Sequence, residues 1–453
     1  AATALARFGY SDLSVLRGGV AGWAAAGFEL FSGVNVPSKA FGEFVEHENH
    51  TPGISADELD ALLKSQADVV VLDSRPFDEY ARMSIPTAFN VPGAELVLRA
   101  RALAPSPATQ IVVNCAGRTR SIIGAQSLIN AGVPNPVVAL RNGTMGWSLA
   151  GRACESGRER RAPFPTGDSL AWAQAAAARV ADRVGVGRID LERLARLRAQ
   201  AQERTLYLFD VRDPAEYEAG HLPGAVSAPG GQLVQATDQY VGTLNARIVL
   251  ADDKAVRALM TASWLRQMGW REVFVLAAAG DESGWPPATV LGADTAPQRA
   301  IDAADLAQRL ARGEVQVVDL SLSRDYLTAH IPGAWFAIRA RLPRSLSQVP
   351  MRKGLVLTSE DGVLAGIAAA EVQALTDVPV YALAGGNRAW RTAGQLLTDA
   401  DPHLADEPAD LWLKPYERKG DTRDAMADYL AWETDLLPRI ARDGDAKFVT
   451  FKP

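Results

Sequence analysis

The chain has 453 residues, too many for one ordinary hydrophobic core, and its length predicts about three domains. With 48% hydrophobic and 22% charged residues and a net charge of −6, its composition is that of an ordinary soluble globular protein and argues against nucleic acid as the main partner. No apolar run is long enough to span a membrane, and two cysteines in such a length rule out a disulfide framework and suit a reducing, cytoplasmic setting.

In chain order, Ala4–Tyr10 reads as a helix end and Leu16–Trp23 as a Gly/Trp turn element, without the strands that should precede them. A half-domain of this kind would leave a sheet edge and a core face uncovered, so residues upstream, or another segment, are expected to complete it. His47 and His50, with Glu46 and Glu48, match no strong ligand spacing and read as a solvated turn; no metal is assigned.

From Ile54 onward one pattern repeats. Ile54–Leu59, Ile189–Leu194 and Ile301–Leu306 each read as a polar cap opening an amphipathic helix, with Ser55 and Glu58 as a capping box. Apolar runs ending in aspartate follow at Val69–Asp73, Leu206–Asp210 and Val315–Asp319. Turns at Ile85-Pro86, Leu222-Pro223 and Ile331-Pro332 precede second strands at Ile111–Asn114, Ile248–Ala251 and Leu355–Leu357, and Gly/Trp elements with Trp147, Trp285 and Trp390 close the units. Strands alternating with helices at this spacing predict an α/β fold with parallel sheets covered by helices on both faces. Segment 155–186 reads as a charged linker and an inserted helix from Asp168 to Val180. The charged, aromatic tail carries a helix from Asp421 to Ile440 that is expected to pack on the body.

The chemistry centres on Cys115, which opens a short loop between strand and helix in Val112-Val113-Asn114-Cys115-Ala116-Gly117-Arg118-Thr119-Arg120-Ser121. A thiol there faces backbone N–H groups, a helix N-terminus and two guanidiniums, which lower a cysteine pKa and make a thiolate nucleophile.

This run, with Cys-x4-Arg spacing, resembles the active loop of the rhodanese family of sulfurtransferases. Val70–Tyr80, with Asp73-Ser74-Arg75, resembles that family's first signature, and Leu140–Trp147 and Leu16–Trp23 its closing one. The resemblance implies tandem rhodanese-like domains: 1–46 as the C-terminal half of one, 47–154 with the active loop, 155–186 as linker, 187–292 and 293–396 as degenerate copies, and 397–453 as a helical tail. It implies a thiosulfate sulfurtransferase that moves sulfur from a small anionic donor to cyanide or a thiol through a Cys115 persulfide, without metal or organic cofactor, and a homodimer is compatible with it. Cys115 and Arg120 are the expected catalytic residues. Ala116, Gly117, Arg118, Thr119 and Ser121 are expected to bind substrate, while Asp73 and Arg75 form a supporting ion pair. Cys154 reads as an incidental thiol, with a resolving cysteine as the alternative.

Asp252 stands about where Cys115 would in the next unit, and Thr358 or Ser359 in the last, so neither offers a thiol. Lys254 and Arg257 read as offset by Asp253, so the arginine pair of the Cys115 loop has no counterpart there. Two other functions stay open: a phosphatase or arsenate reductase on the same fold, which resembles Cys-x5-Arg, and a non-catalytic scaffold.

Overall fold

The computed structural model describes residues 2–286, 290–293, 299–418 and 420–451. The chain forms two compact units, residues 16–285 with 414–453 and residues 1–15 with 286–413.

The larger unit holds two parallel five-stranded sheets. In the first, β1 (Gly53–Ile54), β2 (Val69–Asp73), β3 (Phe89–Asn90), β4 (Gln110–Asn114) and β5 (Val137–Leu140) lie in the order β1-β5-β4-β2-β3. In the second, β6 (Gly187–Arg188), β7 (Leu206–Asp210), β8 (Val226–Ser227), β9 (Arg247–Ala251) and β10 (Val273–Leu276) repeat that order as β6-β10-β9-β7-β8. The central strands are near-continuous Val, Ile and Leu because helices cover both faces of a parallel sheet.

The smaller unit repeats the plan with β11 (Ala300–Ile301), β12 (Val315–Asp319), β13 (Trp335–Phe336), β14 (Gly354–Thr358) and β15 (Val380–Leu383). It adds β16 (His403–Leu404) beside β13. Residues just past 396, read from sequence as tail, therefore serve this sheet, and Asp406 accepts from Ser345 Oγ at 2.7 Å. A two-residue edge strand has no apolar run to announce it.

Register fixes the equivalences. Asp73 pairs with Asn114, Asp210 with Ala251 and Asp319 with Thr358, so Cys115, Asp252 and Ser359 each occupy the first position past the central strand. The three copies are named here by these residues. Each keeps a buried tyrosine that donates to a carbonyl eight residues on: Tyr80 to Ala88 at 2.8 Å, Tyr217 to Ala225 at 2.9 Å and Tyr326 to Ala334 at 2.7 Å.

The Gly/Trp element is less regular. Trp147 and Trp390 are buried in helices Gly143–Leu149 and Gly386–Thr392, and each indole donates 2.9 Å to the carbonyl six residues later. Trp23, in helix Gly19–Ala25, makes the same bond to Glu29. The Asp252 domain departs: no helix follows β10 up to Trp285, which stays 55% exposed.

One apolar core runs through both domains of the larger unit. Helix Gly167–Arg183 enters it with Ala173, Ala176, Ala177, Val180 and Ala181, small side chains that allow close approach. The tail helix Arg423–Asp443 packs on helix Val36–Asn49, which packs on the helix after Cys115.

Candidate active site

The Cys115 loop is held from three sides. Below it, Asp73 accepts from Arg75 Nε at 2.8 Å and Nη2 at 2.7 Å, and from Asn114 Nδ2 at 2.9 Å. Both members of the ion pair are buried, and Ser74 Oγ donates 2.8 Å to the Asn114 carbonyl. Asp73 and Arg75 thus anchor the residue that precedes the thiol.

On the second side, the N-terminus of helix Gly143–Leu149 takes up the loop's carbonyls. Thr144 N donates to Cys115 O at 2.8 Å and Met145 N to Ala116 O at 2.9 Å. Gly143 is required here, with φ +53° and a would-be Cβ only 2.3 Å from Cys115 O.

With its carbonyls so engaged, the loop leaves its amides free. Among the described residues no acceptor takes the N–H groups of Ala116, Gly117, Arg118, Thr119 or Arg120. Helix Thr119–Ala131 starts here, so these are amides at a helix N-terminus, a ready anion cradle. Cys115 is 2% exposed, and its Sγ lies 3.5 Å from Ser121 Oγ, which itself donates to Arg118 O.

Arg120, five residues on, is buried and pairs with Glu79 through Nη1 at 3.2 Å and Nη2 at 3.0 Å. Burial pushes the Glu79 carboxyl up, but Arg120 and the Lys414 ammonium outweigh it and hold Glu79 well below the ordinary carboxylate range. Arg118 behaves otherwise. It donates to Glu43 twice at 2.7 Å, to Glu46, and to Asn142 at 3.3 Å. Through those donors Arg118 ties the loop to helix Val36–Asn49.

The third side is the tail. Glu433 pairs with Lys39 at 2.7 Å, both buried, and accepts from Tyr429 OH at 3.1 Å and Thr119 Oγ1 at 3.5 Å. A Cβ on Gly117 would lie 2.8 Å from Glu433 Oε2 and 3.0 Å from the Met145 methyl, so a larger residue would push on those two side-chain ends where the tail helix meets the loop. Met145, Met426 and Leu430 form an apolar cluster there, flanked by Tyr416 and Tyr429.

The rhodanese-like domain family matches this chain three times, at residues 55–150, 191–279 and 302–393. The chain belongs to the rhodanese-like domain family. It is similar to the crystal structure of a thiosulfate sulfurtransferase from Pseudomonas aeruginosa, at 49% identity and a TM-score of 0.96, covering 100% of this chain and 86% of that one. Shorter matches are a 3-mercaptopyruvate sulfotransferase from Escherichia coli (16% identity, TM-score 0.24, 51% of this chain, 100% of that one) and a rhodanese-related protein from Thermoplasma volcanium (18%, 0.21, 22% and 97%). No curated protein matches the chain.

The other two rhodanese-like domains keep the loop's place after the central strand with different contents. In the Asp252 domain, the carboxylate itself accepts loop amides: Lys254 N at 3.2 Å, Arg257 N at 2.8 Å and Ala258 N at 3.3 Å. Arg257 lies five residues from Asp252, as Arg120 does from Cys115, and donates to it through Nη2 at 2.8 Å. The expected offset by Asp253 is present, for it pairs with both Arg257 and Lys254, and Glu95, Glu216 and Asp252 add to it at Arg257. In the Ser359 domain, Asn387 N and Arg388 N hold the Ser359 and Glu360 carbonyls at 2.9 and 3.0 Å, but Leu364 stands where Arg120 would.

Glu79, Gln232, Lys39, Glu433, Lys414 and the tail tyrosines escaped the sequence reading. The tail's aromatic content signalled packing on the body, but nothing local in sequence tells which loop a segment some 300 residues away will touch.

Proposed function

We propose that the chain is a thiosulfate sulfurtransferase and that Cys115 carries the sulfur. The observation that carries this reading is a buried thiol at the first position of a loop with free amides and Arg120 five residues on. The 49% identity to a thiosulfate sulfurtransferase over the full chain supports the reaction class.

The Cys115 thiolate attacks the outer sulfur of thiosulfate. A Cys115–S bond forms, the donor's S–S bond breaks, and sulfite leaves with the electron pair. Cyanide or a thiolate acceptor then attacks the outer sulfur of the Cys115 persulfide, and thiocyanate or a new persulfide departs while the thiolate returns. Negative charge sits near the same atoms throughout. Amides of residues 116–120 and the Arg120 guanidinium are placed to stabilise it without reorganising. The Asp252 domain supplies the precedent: its corresponding loop amides hold a carboxylate.

In this reading the Asp252 and Ser359 domains carry no chemistry, the first because its own carboxylate occupies the cradle. Residues 16–31, with the Trp23 bond to Glu29, are read as the closing piece of a further rhodanese-like unit. Both cysteines are free thiols and no helix among the described residues is long and apolar enough to cross a membrane, which supports a cytoplasmic assignment.

The test is intact mass after incubation with thiosulfate, followed by peptide mapping. A sulfur adduct on the peptide holding Cys115 is expected. It should vanish in Cys115→Ser and persist in Cys154→Ser, because Cys154 is half-buried beside the Trp147 cluster and burial pushes its thiol up. No adduct on the wild-type chain would overturn the assignment.

A further inference from the structure

Arg120 cannot act as a free cation while Glu79 neutralises it. Its guanidinium spends both terminal nitrogens on that carboxylate, and Nη1 also meets Gln232. A third group changes the balance: Lys414 Nζ lies 2.9 Å from Glu79 Oε1. The cluster Arg120–Glu79–Lys414 then carries one net positive charge. In the Asp252 domain the counterpart of Glu79 is Glu216, which pairs with Arg257 and, among the described residues, with no lysine.

Two buried donors beside this cluster lack an acceptor. The Tyr416 hydroxyl and Arg120 Nε are both shielded from solvent and unbonded. Tyr416 sits two residues after Lys414, close enough to feel Glu79 and Arg120, and its ring lies 5.9 Å from Lys414 Nζ. A buried donor without a partner is rare in a native fold. Two of them beside the same ion-pair cluster call for an acceptor that arrives with the ligand.

We propose that the tail completes the donor site of the Cys115 domain: Lys414 is a positioning residue that neutralises Glu79 so that Arg120 keeps its charge for the ligand, and Tyr416 is a hydrogen-bond donor to that ligand. The ligand class is a compact dianion with several acceptor oxygens, such as the sulfonate end of thiosulfate. A lone rhodanese-like domain with the same loop would lack both groups. This inference rests on the sulfurtransferase reading for its ligand.

Two full-length variants test it, Lys414→Met and Tyr416→Phe. Lys414→Met is expected to raise KM for thiosulfate about tenfold and Tyr416→Phe about fivefold, with a smaller change in kcat, since each removes one interaction with the charged ligand or its arginine. In a Glu79→Gln background Lys414→Met should change KM less than about twofold, because the carboxylate it neutralises is gone. A structural role for Lys414 would give the same loss in both backgrounds, and that result, or an unchanged KM in both single variants, overturns the proposal. Thiosulfate binding to Cys115→Ser protein by calorimetry gives a reading without turnover. Weaker binding on adding Lys414→Met supports the proposal even if the wild type forms no persulfide, and equal affinity overturns it even if it does.

Discussion

Arg120 Nη1 of the Cys115 domain donates to Gln232 Oε1 of the Asp252 domain at 3.1 Å. The relation is reciprocal. Glu95, at the matching position of the Cys115 domain, accepts from Arg257 Nη1 at 2.9 Å. Each domain thus reaches into the other's loop with the residue three places after a Pro-Gly turn start, Pro92 and Pro229. Gly93 and Gly231 allow this crossing: a Cβ on Gly231 would lie 2.9 Å from Gly93 N. The Asp252 domain therefore shapes the Cys115 domain, by steadying Arg120 through Gln232.

Gln232→Leu is expected to lower kcat/KM for thiosulfate by about three- to tenfold, the effect of losing one hydrogen bond to a charged group partly compensated by Glu79. Circular dichroism should be unchanged, since Gln232 contributes no apolar surface to the core. Wild-type kinetics in this variant would mean that Arg120 is held by Glu79 alone.

Gly143→Ala is expected to damage the loop directly. The new methyl would press on Cys115 O at 2.3 Å and Gly117 O at 2.7 Å, at a φ of +53°. A fall in kcat/KM of about ten- to a hundredfold should accompany a loss of about 1–3 kcal/mol in stability. Gly151→Ala is the comparison: it also has a positive φ, +74°, but its methyl would meet nothing within 4 Å. It should destabilise modestly and leave kcat/KM intact. Equal activity losses in the two variants would argue against the loop clash.

Glu79 gives a pH-dependent prediction. Its folded pKa is depressed, with burial opposed and outweighed by Arg120 and Lys414. A depressed carboxyl stabilises the fold above the unfolded value, near 4.3, and loses that contribution as pH falls through the folded one. The stability difference between wild type and Glu79→Gln should be largest near neutrality and shrink below about pH 4. Denaturant melts at a series of pH values measure it. A difference that grows in acid would contradict the ion-pair assignment.

The sequence carried the fold to a depth set by local physics. Repeated apolar runs ending in Asp73, Asp210 and Asp319 announced the parallel strands, and Cys115 with its glycine and arginines announced the loop. What stayed hidden depends on packing between distant segments. Sequence spacing singled out Arg120 from Arg118, but nothing in it shows that Glu43 and Glu46 pair with Arg118 and Glu79 with Arg120. Helix Val36–Asn49 and the tail, more than 370 residues apart, meet through Lys39 and Glu433, and no periodicity encodes such a meeting. The Trp285 element illustrates the reverse case: its residues match the pattern, but the helix that would seat the indole is missing.

The Asp252 domain offers the most direct test of what the cradle needs. Sequence alone suggested that Asp252→Cys would restore a thiol but not the arginine pair, because Asp253 offsets Lys254 and Arg257, and Asp253 does pair with both; Arg257 stands five residues on, as Arg120 does from Cys115. Its charge is spent on Glu95, Glu216 and Asp253, three carboxylates where Arg120 meets one carboxylate and a glutamine. Like charge next to the sulfur disfavours both the thiolate and its anionic donor. In a Cys115→Ser background, Asp252→Cys is therefore expected to yield no sulfur adduct with thiosulfate. Adding Glu95→Gln and Asp253→Ala reproduces the setting given to Arg120 by Gln232 and to Cys115 by Ala116, and a measurable adduct at position 252 is expected from the triple variant, slower than at Cys115. An adduct from Asp252→Cys alone, at the Cys115 rate, would show that these carboxylates do not silence the loop. None from the triple variant would show that loop charge alone does not make the cradle competent.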